Sequence, residues 1–260
     1  LAAYTLAWRE LVRFFRQRTR LVGALGQPLV FWILFGAGLR TSFRPPRWAA
    51  FEMTFQEYFF TGVIVMILLF SAIFATISII EDRREGFLQG VLAAPVGRLP
   101  IVLGKVIGGA LVALVQALLF LALAPTVGLS LSPVALLAVV AFLVFLALAL
   151  TSLGFAMAWT LDSTQGYHAV MSVVLMPMWL LSGAFFPVPE EGWLAWVMRA
   201  NPLTYGVAGL RRLVYGGRLP DDAPGLPSLA TCLVVTVLFF LFFLAGSVWL
   251  ARRNVSYDAR

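Results

Sequence analysis

The sequence predicts an all-α polytopic membrane protein, and three observations carry that prediction. Hydrophobic residues fill 61% of 260 positions and charged residues only 12%, with a mean hydropathy of +0.93, a balance that soluble domains do not have. Several uncharged runs are long enough to cross a hydrocarbon core of about 30 Å at about 1.5 Å per helical residue. The remaining charges gather in short flanks between those runs, because each one costs about 2.5–3.5 kcal/mol at the centre of a bilayer. The net charge of +7 therefore reads as membrane orientation rather than nucleic-acid binding. A single cysteine, Cys232, excludes an intrachain disulfide framework or thiolate metal cluster.

Residues 1–20 read as an amphipathic interfacial helix. At about 100° per residue, Arg9, Arg13, Arg16 and Arg20 share a face expected to meet headgroups, while Tyr4, Leu11, Phe14 and Phe15 spread over the other. Arg18 breaks the pattern and is expected to snorkel. The segment is too charged for a signal peptide. Six spans are expected, at 21–39, 59–80, 105–126, 133–159, 169–186 and 229–250, with Pro28 kinking the first. Residues 106–161 carry no charge and are too many for one helix, so the run is divided at Pro125, Gly128, Ser130, Ser132 and Pro133. Lys105 is placed at the start of the third span, and Gly104 and Gly108 form a small-xxx-small pair that lets another helix approach.

The longest loop, 187–228, is expected to hold two short helices. In the first, 189–200, Glu190 and Glu191 precede Trp193 and Trp196; the second covers 203–215, before a turn-rich end in which Asp221 and Asp222 read as solvated. With six spans, the side holding both termini carries twelve Lys and Arg residues against seven on the other, which makes both termini cytoplasmic.

The densest mixed-charge stretch is Ile79–Lys105, which sets Glu81, Asp82, Arg83, Arg84 and Glu85 at the end of the second span. It reads as the handle by which something outside the membrane moves the protein. A second reading takes Glu81, Asp82 and Glu85 as Mg²⁺-binding acids of an intramembrane, prenyltransferase-like lipid-modifying enzyme. Against it stand the interleaved Arg83 and Arg84 and the lack of a second acidic cluster on the same side. His168 is the only histidine and reads as interfacial, and Ser182-Gly183 lacks the residues of a nucleophile elbow. No catalytic or metal-binding residue is assigned. The only lysine, Lys105, sits in no phosphate loop, so any ATP must be bound by another chain.

Two blocks resemble the membrane subunits of ABC-2 type exporters, the daunorubicin- and polysaccharide-type permeases. The first is Glu81-Asp82-Arg83-Arg84-Glu85-Gly86 with Leu92, Pro95, Arg98 and Gly104-Lys105; it carries Phe87 and Gln89 where the family often has Thr and Glu. The second, more specific block is Leu181-Ser182-Gly183 with Phe186-Pro187, then Asn201-Pro202-Leu203-Thr204-Tyr205 and Arg211. The resemblance implies that 81–100 is a coupling-helix loop docking on a separate ATPase subunit through Glu81, Asp82, Arg83, Arg84, Glu85, Gly86, Leu92 and Pro95. It implies a connecting helix at residues 1–20 and re-entrant short helices within 187–228. It also implies a single transmembrane domain that pairs as a homodimer or with a similar permease in a bacterial or archaeal cytoplasmic membrane. ATP and Mg²⁺ then belong to the partner, and this chain binds no cofactor. The spans carry little besides Gln27, Gln116 and a few hydroxyls, which points to an amphipathic, lipid-like or lipid-linked substrate moved outward.

Overall fold

The structure, a computed structural model, describes residues 2–16, 18–49, 51–93, 95, 97–220 and 223–253, with the backbone alone at Phe15 and 18–24. Asp221, Asp222 and Arg260 lie outside the described residues, as do the side chains of Arg18 and Arg20. Helices make up the fold, and no strand occurs among the described residues. In order they are α1 (Ala2–Arg16), α2 (Arg18–Gly38), α3 (Phe55–Arg84), α4 (Phe87–Ala93), α5 (Arg98–Leu121), α6 (Pro133–Thr160), α7 (Thr164–Val170), α8 (Met176–Trp179), α9 (Trp193–Ala200), α10 (Pro202–Tyr215) and α11 (Leu229–Arg253). Among the described residues, five helical stretches are long and apolar enough to cross a membrane, namely α3, α5, α6, the composite Thr164–Ala184 and α11; a shorter apolar stretch, Leu25–Gly38, lies within α2. The chain is an all-α polytopic membrane protein.

The ends of these helices follow from local chemistry. A capping box opens α3: Thr54 Oγ1 accepts from Glu57 N at 3.2 Å, and Thr54 N donates to Glu57 Oε2 at 2.9 Å. Its far end turns at Gly86, whose φ of 76° is a left-handed conformation. Ser132 caps α6 and Pro133 follows at the first helical position, where a missing N–H costs nothing. The composite span contains two π turns, Met171–Leu175 and Leu180–Ala184. Gly183 in the second has φ 76° and ends the regular helix there.

At the centre stands α3, with Tyr58, Phe59, Phe60, Val63 and Ile64 completely buried. It packs against α2, α5, α6 and α10. Polar locks hold these contacts in register. Ser71 Oγ donates to Gln116 Oε1 at 2.9 Å between α3 and α5, and Trp179 Nε1 donates to Gly62 O at 2.9 Å. The Tyr167 hydroxyl lies 2.6 Å from Thr76 Oγ1 and within 3.2 and 3.3 Å of the Ile73 and Gly154 carbonyls, joining α7 to α3 and α6. The outermost helix, α11, rests on α6 and exposes Leu238, Phe242 and Trp249, as a lipid-facing surface does.

Several boundaries differ from the sequence reading. The second span lengthens at both ends, to Phe55–Arg84, because the capping box starts it early and charge pairing lets it run on. The third starts at Arg98 instead of 105, so Lys105 lies inside the helix. The fifth is Thr164–Ala184 instead of 169–186, since Ser163 caps α7 a turn earlier, accepting from Gly166 N at 3.0 Å. Helix α2 continues through Pro28.

Tyr167→Phe is expected to lower stability by about 1 kcal/mol, the net worth of a buried hydrogen bond. The lipid-facing Phe242→Leu should change it by less than about 0.5 kcal/mol. Thermal unfolding midpoints in mild detergent check both.

Candidate functional site

Helix α1 is seated on α5 by the absence of side chains. A Cβ built at Gly104 would lie 2.8 Å from Leu6 Cβ and 2.9 Å from Ala3 O; one at Gly108 would lie 2.9 Å from Glu10 Cβ and 3.0 Å from Ala7 Cα. Ala3 meets Gly104 and Ala7 meets Gly108, so the two helices run in the same sense where they touch. This seat brings Glu10 over Lys105. The α3 end, with Ser78 and Asp82 one helical turn apart, closes the site from the other side.

Six charged groups from three helices meet there. Lys105 Nζ donates to Glu10 Oε1 at 2.5 Å, to Ser78 Oγ at 3.3 Å and to Asp82 Oδ2. Arg9 grips Asp82 with two parallel bonds, both 2.9 Å. Arg13, four residues on, donates to Asp82 Oδ1 at 3.2 Å and to Glu81 Oε2 at 2.7 Å. Three cations thus face three carboxylates, which is why Asp82 is tolerated at 0% exposure, Lys105 at 4% and Glu10 at 6%. Donating these hydrogen bonds to Asp82 also raises the Arg9 pKa above its ordinary value.

The cluster is joined to α4. The Arg9 guanidinium lies 3.9 Å from the centroid of the Phe87 ring, Leu88 is buried in the core, and Arg98 Nη1 donates to Leu92 O at 3.3 Å. The other two arginines of the stretch serve α6. Arg83 Nη2 donates to Trp159 O at 2.8 Å and Nη1 to Asp162 Oδ1 at 3.3 Å, while Arg84 Nη2 reaches Asp162 O at 3.1 Å, so cations close the carboxyl end of that helix.

These positions correct the sequence reading in three ways. Asp82 is fully buried and Glu81 is held by Arg13, so neither is an open surface for a partner; both belong to α3. The separate short helix is only Phe87–Ala93, and Arg84, Glu85, Phe87, Gln89 and Pro95 are the exposed residues around it, with Gly86 half-buried at the turn and Leu92 half-buried against the core. Arg9 and Arg13 face carboxylates instead of headgroups, because α1 turns that edge toward α3; Arg16, its last residue, is exposed, and Arg20 belongs to the next helix. The acids Glu81, Asp82 and Glu85 do not converge as metal ligands, since cations already occupy both Asp82 oxygens. Glu10 is the partner that sequence reasoning missed. Its signal is an acid standing one residue from an arginine row.

Beside the cluster lies a cavity of about 570 Å³. Glu10, Arg13 and Glu81 border it, Phe74, Ile77 and Val112 supply apolar wall, and Gln27, Ser71, Gln116 and His168 add further polar groups. His168 is thus a cavity residue, its ring 6.2 Å from Phe74.

The second block gathers at the opposite end of α3. Asn201 caps α10, its Oδ1 accepting from Leu203 N at 3.0 Å and its Nδ2 donating to Met178 O at 2.6 Å, with Pro202 at the first helical position. The Tyr205 hydroxyl donates to Arg199 O at 2.9 Å, closing α9 onto α10. Gly183 O receives Tyr58 OH at 2.6 Å and Arg211 Nη2 at 2.8 Å. Ser182 is buried with its hydroxyl on Trp179 O, Leu181 and Pro187 are half-buried, and Leu203 is buried. Arg211, counted from sequence as a loop charge, is 3% exposed, because the broken helix presents carbonyls to it.

The model of a family described as ABC-2 type transporter matches residues 2–215, a range that includes both blocks. Curated relatives include a putative transport permease ycf38 of Cyanophora paradoxa, 27% identical over 213 residues that span 81% of this chain and 73% of that one. Another of the same description, from Porphyra purpurea, is 26% identical over 209 residues, covering 79% and 71%.

Lys105→Met should cost about 3 kcal/mol by leaving Glu10 and Asp82 short of a counter-charge, and Lys105→Met/Glu10→Gln should regain part of it. A double-mutant cycle on thermal unfolding checks this; strictly additive costs would show that the two groups do not interact.

Proposed function

The chain belongs to the ABC-2 type transporter family and is a membrane permease subunit of an ABC transporter; from that premise we propose that it exports an amphipathic, lipid-like or lipid-linked molecule, driven by ATP and Mg²⁺ on a separate ATPase subunit. The observation that carries this reading is the continuity between the exposed α3–α4 turn and the buried charges behind it. A push on Glu85 or Phe87 reaches Arg9 through the ring contact, and from Arg9 it reaches Asp82, Lys105 and Glu10 on three helices. A surface loop joined to the bundle by its ends alone would not transmit force in this way.

The substrate class is supported by the cavity beside the cluster. Its acids and Arg13 are held in ion pairs at one border and the rest of its wall mixes apolar side chains with amide, hydroxyl and imidazole groups, which suits a molecule with a polar head and an apolar body. In this reading α1, α4 and both termini are cytoplasmic, in line with the excess of basic residues on that side. Short helices α9 and α10 then lie at the outer side, and two copies of the chain form the pathway in the cytoplasmic membrane, with two ATPase subunits below. The lipid-modifying alternative finds no support in the geometry, because Asp82 is engaged by cations and buried from any diphosphate.

The test is to purify the chain from its host in mild detergent and identify a stoichiometric soluble partner carrying a G-x-x-x-x-G-K-[ST] loop. Glu85→Arg, at an exposed position, is expected to release that partner or to cut transport-coupled ATPase activity at least about tenfold, while the unfolding midpoint stays within about 0.5 kcal/mol of the parent. Unchanged coupling would remove α4 as the dock.

A further inference from the structure

At the end of the bundle opposite α4, a cavity of about 390 Å³ lies between the loop before α3, the break at Gly183 and the proline-rich segment after α10. Arg211 lines it and is 3% exposed. Every hydrogen bond it makes to a described residue goes to an uncharged acceptor. Nε donates to Thr61 Oγ1 at 3.2 Å, and Nη2 donates to Gly183 O at 2.8 Å and Tyr58 O at 3.4 Å. The guanidinium also rests 4.0 Å from the Tyr58 ring centroid and 5.4 Å from that of Trp48. Nη1 bonds to no described residue, and no carboxylate among the described residues pairs with this charge.

That is the reverse of the inner cluster, where three carboxylates answer three cations. Carbonyl dipoles and ring faces offset part of the Arg211 charge, yet a buried guanidinium with no counter-ion among the described residues is costly, and its Nη1, beside open space, bonds to none of those residues. At the cavity mouth Arg47 contacts Glu190 through Nη1 alone, at 2.9 and 3.1 Å, which leaves its other two nitrogens without a bond to a described residue. Among the described residues, the charged lining is therefore two arginines against one carboxylate. Five prolines, beginning at Pro46 and ending at Pro227, make up much of the remaining wall and bring no N–H of their own.

We infer that this cavity is an oxyanion-binding pocket, taking a phosphate or carboxylate group against Arg211 Nη1 with Arg47 at its mouth. The pocket has the chemistry to hold an anionic headgroup or a soluble phosphate on the face of the bundle away from α4. The inference goes beyond the transport reading and stands apart from it, because binding requires neither an ATPase nor turnover.

The experiment uses the full chain in uncharged detergent. Its thermal unfolding is followed against sodium phosphate and against sodium chloride at equal ionic strength. Retained lipid is counted by native mass spectrometry after reconstitution in discs of phosphatidylcholine alone or with phosphatidylglycerol. Stabilisation by free phosphate assigns the pocket to a soluble oxyanion; selective retention of phosphatidylglycerol without a phosphate effect assigns it to a lipid headgroup. In either case Arg211→Lys, which keeps the charge and loses the fork, should weaken binding about tenfold. Arg47→Gln, at an exposed position that leaves the fold alone, should weaken it about threefold. The inference falls if neither ligand acts on the parent chain beyond the chloride control, or if both variants bind as the parent does.

Discussion

Asp82 is the constraint on which the α4 end of this molecule depends. A carboxylate with no exposed surface has to be surrounded by cations, and the three that surround it come from two different helices, Arg9 and Arg13 from α1 and Lys105 from α5. The demand fixes how α1 is turned on its seat against α5, with the arginine edge toward α3. It also explains why α5 begins two turns before its first buried charge: Lys105 enters the helix because Glu10 and Asp82 are there to meet it. Glycine at positions 104 and 108 then becomes a consequence of the electrostatics, since the ion pairs form only if the two backbones come this close.

The two ends of α3 solve the same problem in opposite ways. At the α4 end, charge is neutralised by charge, and the helices that contribute are bound into one unit. At the opposite end, the helix break at Gly183 exposes its carbonyl oxygen, which accepts from both Tyr58 on α3 and Arg211 on α10. Nearly every residue of the second signature block acts on that break or on the α9–α10 corner beside it. Asn201 and Pro202 start α10, Tyr205 ties it to α9, and Arg211 reaches back to the carbonyl. The signature thus describes how a short hairpin of helices is fastened to a broken span.

How much of this was legible in the sequence depends on the range of the interaction that decides each feature. The class of fold, the division of the long uncharged run at Pro125–Pro133 and the two short helices near 193–215 follow from composition and local turn chemistry, and the structure has them. Lys105 was misplaced at a span boundary because hydropathy counts a charge as a boundary, while its partners sit 95 and 23 residues away. Glu81 and Asp82 were assigned to the surface for the same reason. The family resemblance singled out two blocks, but it could not say that Asp82 looks inward while Glu85, three residues on, looks out. Arg211 was invisible as a buried group because nothing in its neighbourhood of sequence announces the carbonyls it meets.

The first π turn, Met171–Leu175, has a geometric effect on everything beyond it. Tyr167 and Trp179 are twelve positions apart, and in an unbroken α-helix at about 100° per residue they would point about 120° away from each other. One extra residue accommodated in the wide turn reduces the effective count to eleven, which brings the two rings to within about 20° of the same direction. Both then face α3, where Tyr167 meets Thr76 and Trp179 meets Gly62, while Val173 and Val174 bulge outward on the other side. The surplus residue works as a phase shifter: it lets a span whose sequence is out of step with its neighbour anchor to it at two levels.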